Sequence, residues 1–478
     1  MNGKKNYYIH SLIGILIMII FAFIPPFGPV TEVGVQVLGV FLGTMYLWTF
    51  VDTLWPSLFG VLMMGLTGFG NFNSLLSSTF GSPIVVMLFF VILMTGAITE
   101  EGVCEYISRW FITRKVSNGR PWVFTALFLT GVYIISVLTA PTPTIFIFWP
   151  ILYSLFATLG YKKGDKYATL MLIAVVMAAS FGFATTPFKG ALTGLLGNYA
   201  KVTGAPIEYL SFMAVSVPVS LAGLAVIILS MQFIFRPDIA LLKDVNVEMF
   251  NKKPLPPMNL RQKAMTAALI VFIIWVLCPP LLPDSPIKQI LTASQNAIPV
   301  LIIAVCCFLK VEGKPLVNFN AIAAKYMIWP VVLIVGSAMT IGNALTDEST
   351  GITVLLKSVL TPVFEGKSPL IFTVACVTIA CILTNVCNNM VVGMLLIPII
   401  HVFSMEIGAS AAVITSLSMY MVCIAVVTPA ASTTSAILHG NSAWMNTGEV
   451  YKYGIIMTVL SLIIVLAVGL PIASLVFG

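Results

Sequence analysis

Charged residues are scarce in this sequence. Only 9% of its 478 residues are Asp, Glu, Lys or Arg, whereas a water-soluble domain carries about 25%. Apolar residues make up 59% of the chain, which is enough for about ten to twelve membrane spans. Because the apolar runs are continuous and do not alternate every second residue, an outer-membrane β-barrel is excluded. The sequence therefore predicts an all-α polytopic membrane protein embedded in the lipid bilayer.

The groups that an enzyme would need are also missing. His10, His401 and His439 lie far apart in the chain, and no acidic residue lies centrally in an apolar run. A membrane-embedded enzyme would need a nucleophile with a base, a metal cluster or paired acids. The eight cysteines lack C-x-x-C spacing and are interpreted as packing residues, and no ATP-binding motif is present. We therefore expect no enzyme, no cofactor unless Na⁺ is bound, and no nucleic-acid partner.

Basic residues predict the orientation of the chain, because they concentrate on the cytoplasmic side. Lys4 and Lys5 precede the first apolar run, which lacks a small-residue cleavage site and is interpreted as a retained helix rather than a signal peptide. Further basic residues crowd the longest polar stretch, namely Arg236, Lys243, Lys252, Lys253, Arg261 and Lys263. We expect a multi-pass protein of the inner (plasma) membrane, with a cytoplasmic N-terminus and an external C-terminus.

Two apolar segments have polar and helix-breaking residues at their centres. Segment 122–157 contains "SVLTAPTPT", and segment 369–403 contains "TNVCNNM". Each is predicted to be a re-entrant hairpin whose tip is buried in protein or lines a wet cavity, because unpaired peptide groups in lipid cost several kcal/mol each. Segments 167–200 and 411–438 are interrupted as well and are predicted to be broken helices.

The two halves of the chain resemble each other in order and spacing. Residues 80–103 are similar to residues 327–352, and each segment ends in Thr followed by two acids. Pro-Ile follows both hairpin centres, and "TPFKGALTGLLGN" is similar to "TPAASTTSAILHGN". Similar halves with odd numbers of crossings predict inverted repeats, here 1–240 and 263–478, joined by a cytoplasmic linker at 241–262. Secondary transporters are built this way, with the substrate near the midplane between broken helices.

Taken together, these features resemble the divalent anion/sodium symporter family of the ion-transporter superfamily, over nearly the whole chain. The resemblance rests on the early "YLWTFVDTLWPSL", the helix "VMLFFVILMTGAITEEGV", both hairpin tips and both broken helices. It implies a homodimer in which a scaffold domain supports a mobile transport domain, and an elevator-type alternating-access mechanism. It also implies anionic substrates such as C4-dicarboxylates, citrate or sulfate.

The resemblance further implies positions for substrate and sodium. The family's Ser-Asn-Thr tips fall here on Ala140-Pro141-Thr142 and Asn388-Asn389-Met390, so the match is partial. Thr142, Asn388 and Asn389 retain side chains that can bind a carboxylate. The implied sodium ligands are Ser136, Ala140 and Pro141 in the first half, and Thr384, Cys387 and Asn389 in the second.

The first implied sodium site is weakened, because Pro141 has no side-chain oxygen. Lys189 lies nearby, in the first broken helix, and a lysine at membrane depth costs about 2.5–3.5 kcal/mol on insertion scales. Either its charge replaces a bound Na⁺ or pairs with the substrate, or it extends to water at an interface. In the second broken helix, Ser432 and Thr433 offer hydroxyls to a substrate, although such hydroxyls often bond to their own backbone.

The sequence therefore predicts a secondary active transporter of small organic or inorganic anions, di- or tricarboxylates first, with weak or absent Na⁺ coupling. One alternative is a Na⁺-coupled dicarboxylate or sulfate symporter. An anion channel or a membrane-embedded enzyme is the alternative from another class. The identity of the anion, the choice between symport and exchange, the number of coupling cations and the direction of net flux are left open.

Overall fold

The computed structural model describes residues 2–244, 256–355, 358, 368–429 and 431–478. Lys252, Lys253 and much of the predicted linker 241–262 lie outside these ranges. Within them, ten helices are long and apolar enough to cross a membrane, or eleven if one bent pair counts as a span. The prediction of an all-α polytopic membrane protein is therefore confirmed.

The first half begins with a largely exposed helix and leads to a buried centre. In order they are Asn2–Ala22, Glu32–Phe50, Leu54–Met64, Phe72–Phe80, Pro83–Glu100, Val103–Ile112, Pro121–Leu138, Pro141–Leu159, Lys166–Thr185, Gly190–Thr203 and Tyr209–Leu229. Short helical turns follow at Lys115–Ser117, Ser230–Phe235 and Ala240–Asp244.

The second half also contains short and long helices. In order they are Leu260–Leu277, Pro286–Ala293, Ile298–Phe308, Phe319–Tyr326, Trp329–Thr346, Pro369–Thr384, Asn389–Ile407, Ala411–Val422, Thr433–Gly440, Thr447–Ile464 and Leu470–Phe477. Helical turns lie at Pro279–Leu281, Glu348–Thr350 and Val465–Gly469. Two short strands, Lys310–Val311 and Lys314–Pro315, pair antiparallel.

Both predicted hairpins are interrupted at their polar centres. We call Pro121–Leu138 with Pro141–Leu159 the first helix pair, and Pro369–Thr384 with Asn389–Ile407 the second helix pair. Pro141 suits the first turn of a helix, where its missing N–H has no intrahelical acceptor. Asn388 caps the second helix of its pair by accepting a hydrogen bond from the Met390 N–H at 2.9 Å. The re-entrant course of both pairs stays a prediction.

Two further helices are interrupted near the middle of the molecule. The first broken helix consists of Lys166–Thr185 and Gly190–Thr203, and the second of Ala411–Val422 and Thr433–Gly440. Nearly every residue of Lys166–Thr185 is buried, as expected for a helix that is apolar all round. The first broken helix is therefore at the centre of the protein, where the helix pairs pack around it.

The two Thr-acid-acid motifs occupy equivalent joints. Gly102 (φ 72°) follows the helix Pro83–Glu100, and Gly351 (φ 68°) follows the helix Trp329–Thr346. Glycine adopts this left-handed conformation without the strain that a Cβ would introduce. The second joint is held from the first half of the chain, because Thr31 donates through its backbone N–H to the Thr350 carbonyl at 3.0 Å. Matching joints of this kind are what an internal repeat predicts.

The short helix Pro286–Ala293 was not predicted from the sequence. It precedes Ile298–Phe308 at an angle of 81°. Ser285 caps this short helix by accepting from the Lys288 N–H at 3.2 Å, and Pro286 opens it. It has a polar face instead of a long apolar run, which is why hydrophobicity alone did not reveal it.

Gly182 provides a test of how closely the first broken helix and the first helix pair pack. A Cβ at Gly182 would overlap the Tyr133 carbonyl and lie 2.8 Å from the Ser136 Cβ. We expect Gly182→Ala to lower the free energy of unfolding by about 1–3 kcal/mol through overpacking, measured by thermal denaturation in detergent. Gly448→Ala, where the added Cβ meets nothing within 4 Å, is the control; equal stability of the two variants would contradict the packing.

Candidate functional site

Lys189 is buried between the first broken helix and the first helix pair. Only 4% of its surface is exposed, so it does not extend to water. Its ammonium donates to the Ser136 carbonyl and, at 2.6 Å, to the Val137 carbonyl. Both carbonyls belong to the last turn of the helix Pro121–Leu138, where backbone oxygens lack intrahelical donors and the helix dipole is negative. Lys189 thus places its Nζ group at the tip of the first helix pair.

The remaining first-half candidates are Ser136, Ala140 and Thr142. Two of them already use their polar groups in hydrogen bonds within the protein. The Ser136 hydroxyl donates to the Ala179 carbonyl at 2.5 Å. Ala140 offers its carbonyl, which already accepts from the Thr144 hydroxyl at 2.8 Å. Thr142 is half-buried, and its side chain forms no hydrogen bond with any described residue.

The second helix pair makes an equivalent contact with the second broken helix. The Thr384 hydroxyl lies 2.6 Å from the Val422 carbonyl and 3.2 Å from Asn389 Oδ1. In both halves, therefore, a buried hydroxyl near the end of the first helix of each pair lies against a carbonyl of the adjacent broken helix. The structure joins Thr384 and Asn389, two of the implied sodium ligands.

The tip of the second helix pair presents unused amide donors. Asn388 and Asn389 are both half-buried, and their oxygens are engaged by the Met390 N–H and the Thr384 hydroxyl. Neither Nδ2 group donates to an acceptor in the part of the chain that the structure describes. Because the positive end of the helix Asn389–Ile407 also lies here, this tip can attract a carboxylate.

Cys387 lies at the same tip but faces a different part of the molecule. Its thiol is half-buried and lies beside the Thr49 side chain, which belongs to the helix Glu32–Phe50. The thiol is thus directed at the N-terminal helices rather than at Thr384 or Asn389.

Asn385 was missed by the sequence analysis and is the most connected side chain of the second tip. Its Oδ1 accepts from the backbone N–H groups of Val426 at 3.0 Å and Val427 at 2.9 Å. Its Nδ2 donates to the carbonyls of Cys381 at 2.8 Å and Ile424 at 3.2 Å. These bonds hold the unwound residues of the second broken helix against the helix pair. An amide at membrane depth needs several hydrogen-bond partners. The presence of an asparagine within an apolar segment could therefore have pointed to Asn385.

The hydroxyls of the second broken helix differ in how they are used. Ser432 caps the helix Thr433–Gly440 by accepting from the Ser435 N–H at 3.1 Å, and it donates to the Ala425 carbonyl at 2.7 Å. Thr433 is exposed and its side chain forms no hydrogen bond with another described residue. Ser432 is therefore a structural cap in this conformation, whereas the Thr433 hydroxyl remains available.

Buried hydroxyls connect the first helix pair with the second broken helix. Thr185 contacts the Tyr133 hydroxyl at 3.2 Å and Ser220 at 2.8 Å, and Ser220 contacts the Tyr420 hydroxyl at 2.9 Å. This chain extends from the first helix pair to the second broken helix. Among the described residues, no hydrogen bond joins the Lys189 ammonium to Asn388, Asn389, Ser432 or Thr433.

Comparison with known proteins gives this site its context. A family model described as citrate transporter (CitMHS) matches residues 44–314, more than half of the chain. The chain belongs to the citrate transporter family. The matched residues include the first helix pair, the first broken helix and Lys189, and they end before the second helix pair. No curated protein matches the sequence.

The fold is similar to that of another membrane transporter. The crystal structure of the YdaH transporter of Alcanivorax borkumensis, described as having an unusual topology, aligns with a TM-score of 0.56 and 12% sequence identity. The alignment covers 84% of this chain and 87% of that chain. At this identity the likeness establishes the fold alone. As a member of the citrate transporter family with this fold, the chain is a multi-pass secondary anion transporter.

Asn385 allows the geometry of the second tip to be tested. Asn385→Leu leaves the N–H groups of Val426 and Val427 without their acceptor, at about 1–3 kcal/mol for each buried group. We expect a clear loss of thermal stability, measured on the purified protein. Asn388→Ala removes only a helix cap, worth about 1 kcal/mol, and should leave the melting temperature closer to that of the parent. The reverse order of stability would show that Asn385 does not hold the second tip.

Proposed function

We propose that this member of the citrate transporter family exchanges small di- or tricarboxylate anions across the membrane with weak or absent Na⁺ coupling. The observation that carries the proposal is the contact of the Lys189 ammonium with the carbonyls of Ser136 and Val137. A cation at this tip would bind the same backbone oxygens, because hard cations prefer oxygen ligands. Lys189 thus provides covalently the charge that a sodium ion would bring.

The anion is proposed to bind at the second tip. The Nδ2 groups of Asn388 and Asn389 supply neutral donors, and Thr433 adds an exposed hydroxyl. Thr142 and Ser432 complete the proposed set if the first tip and the second broken helix approach the anion when it is bound. Lys189 then acts on the anion through its field rather than by contact, since its ammonium donates to the first helix pair.

A fixed positive charge favours exchange over net transport. Moving a buried ammonium through the membrane without a compensating anion is unfavourable, because charges in the bilayer interior are costly. The loaded carrier has this charge balanced by the substrate. The empty carrier therefore returns slowly, and a second anion on the opposite side accelerates the return.

The alternative of Na⁺-coupled dicarboxylate or sulfate symport depends on the second tip. Thr384 and Asn389 place two oxygens 3.2 Å apart, and Cys387 is the third implied ligand. Against this, the Thr384 hydroxyl also contacts the Val422 carbonyl. Ser136 and Pro141 offer even less at the first tip, since the Ser136 hydroxyl donates to Ala179 and Pro141 has no side-chain oxygen.

The resemblance to the divalent anion/sodium symporters supports the remaining parts of the proposal. These are two inverted repeats, a homodimer, a scaffold and an elevator-type transport domain in the inner membrane, with the N-terminus in the cytoplasm and the C-terminus outside. Leu195 of the first broken helix packs against Gly393 of the second helix pair, so these elements are suited to move together as one transport unit.

The dependence of exchange on Lys189 can be tested in proteoliposomes. We expect uptake of labelled citrate to be accelerated by citrate inside the vesicles, because the loaded carrier returns faster than the empty one. Lys189→Gln keeps a donor but loses the charge, and should lower uptake about tenfold, the difference between a charged and a neutral hydrogen bond. Lys201→Gln, a lysine on the same helix but exposed, is the matched control.

Three results would reject the proposal. Uptake independent of internal citrate would argue against exchange, and a conductive, unsaturable flux would favour a channel. Full activity of folded Lys189→Gln would show that the lysine has no part in transport.

Labelled succinate and sulfate in the same vesicles would define the substrate range.

A further inference from the structure

A cavity lined by charged residues lies away from the proposed transport site. It has a volume of about 370 Å³ and lies between the end of the helix Pro83–Glu100, the start of Leu260–Leu277 and the helix Phe319–Tyr326. Gly96 allows the last of these helices to approach closely, since a Cβ there would lie 2.6 Å from the Tyr326 Cβ. The cavity adjoins the joint at Gly102.

The acids of this cavity are already neutralised by partners. Glu101 receives two hydrogen bonds from Arg261, at 2.6 and 2.9 Å. Glu100 accepts from Lys325 and from the Tyr326 hydroxyl, both at 2.6 Å. Arg261 also donates to the carbonyls of Val311, Pro315 and Leu316, so its guanidinium is held against the acid and the two-stranded turn.

A surplus positive charge remains in the cavity. Lys314 is exposed and forms no ion pair with any residue that the structure describes. Lys325 keeps 60% of its side chain exposed, and its hydrogen bonds to Glu100 and Tyr326 raise its pKa, so it stays protonated. Asn318 also lines the cavity, with its oxygen on the Ala321 N–H at 3.2 Å. Two ammonium groups and an amide can therefore donate to an anion.

Exposed apolar side chains lie close in sequence to the residues that line the cavity. Leu316 lines it and donates through its N–H to the Leu309 carbonyl at 2.8 Å. Phe308, which precedes Leu309, is 83% exposed, and Trp329, which begins the helix after Lys325, is 51% exposed. Aromatic residues in such positions mark the boundary between headgroups and hydrocarbon. A cationic cavity beside an apolar surface fits an amphiphile with an anionic head.

The charge distribution also favours a lipid on this side of the membrane. Arg261 belongs to the basic polar stretch that predicts the cytoplasmic face, whose surface is negative because of anionic lipids. Basic pockets between membrane helices on this side bind phosphorylated headgroups.

We propose that this cavity binds an anionic phospholipid, whose phosphate lies between Lys314 and Lys325 while an acyl chain lies along Phe308, Leu309 and Trp329. The lipid would join the two halves of the chain, because the cavity contains residues of both. This proposal is independent of the proposed transport function.

The experiment uses the full chain in detergent, titrated with dioleoyl-phosphatidylglycerol while the melting temperature is followed. A lipid that binds the folded state raises the melting temperature in a saturable manner. We expect this for phosphatidylglycerol and not for phosphatidylcholine. Lys314→Gln should weaken the apparent Kd about fivefold, the effect of one lysine at an anionic surface.

Lys310→Gln is the matched control, since Lys310 lies in the same two-stranded turn but does not line the cavity. It should bind phosphatidylglycerol like the parent. Equal stabilisation by both lipids, or unchanged binding by Lys314→Gln, would overturn the proposal. So would equal stabilisation by inorganic phosphate, which would identify a site for the free anion instead of the lipid.

Discussion

The contact between the Lys189 ammonium and the last carbonyls of the helix Pro121–Leu138 determines the chemistry of the first tip. A helix that ends inside a membrane protein leaves backbone oxygens without donors, and such groups must find partners. Lys189 satisfies two of them and adds charge where the helix dipole is negative. Burial of the lysine and termination of the helix thus stabilise each other. The oxygens that would attract a free cation are occupied by a side chain.

The second tip meets the same requirement without a charge. Asn385 bonds to N–H and carbonyl groups of the unwound residues 424–427, and Thr384 contacts the Val422 carbonyl. Since Asn385 and Thr384 make these bonds, the amide donors of Asn388 and Asn389 are left free for an anion. In the proposed mechanism, one half of the molecule supplies a fixed charge, and the other supplies uncharged donors. This proposed division of roles is the basis of exchange.

Hydrophobicity and helix-breaking residues were sufficient to predict the class of fold. Long apolar runs gave the spans, and the polar centres "SVLTAPTPT" and "TNVCNNM" coincide with the ends of helices. Lys189 was found because a charge in an apolar segment is unusual. The partners of Asn385 and Arg261 could not be predicted, since they lie about 40 to 160 residues away, and only the packing brings them together. The short helix Pro286–Ala293 was missed because its polar face resembles a loop.

The dependence of citrate affinity on Na⁺ concentration tests the role of Lys189 most directly. By linkage, the slope of the logarithm of the association constant against the logarithm of Na⁺ activity equals the number of ions taken up with the anion. If Lys189 occupies the position of the cation, calorimetric titration at constant ionic strength will give a slope near zero. A slope of about one or more would show that sodium binds together with citrate, and the ammonium would then have some other role.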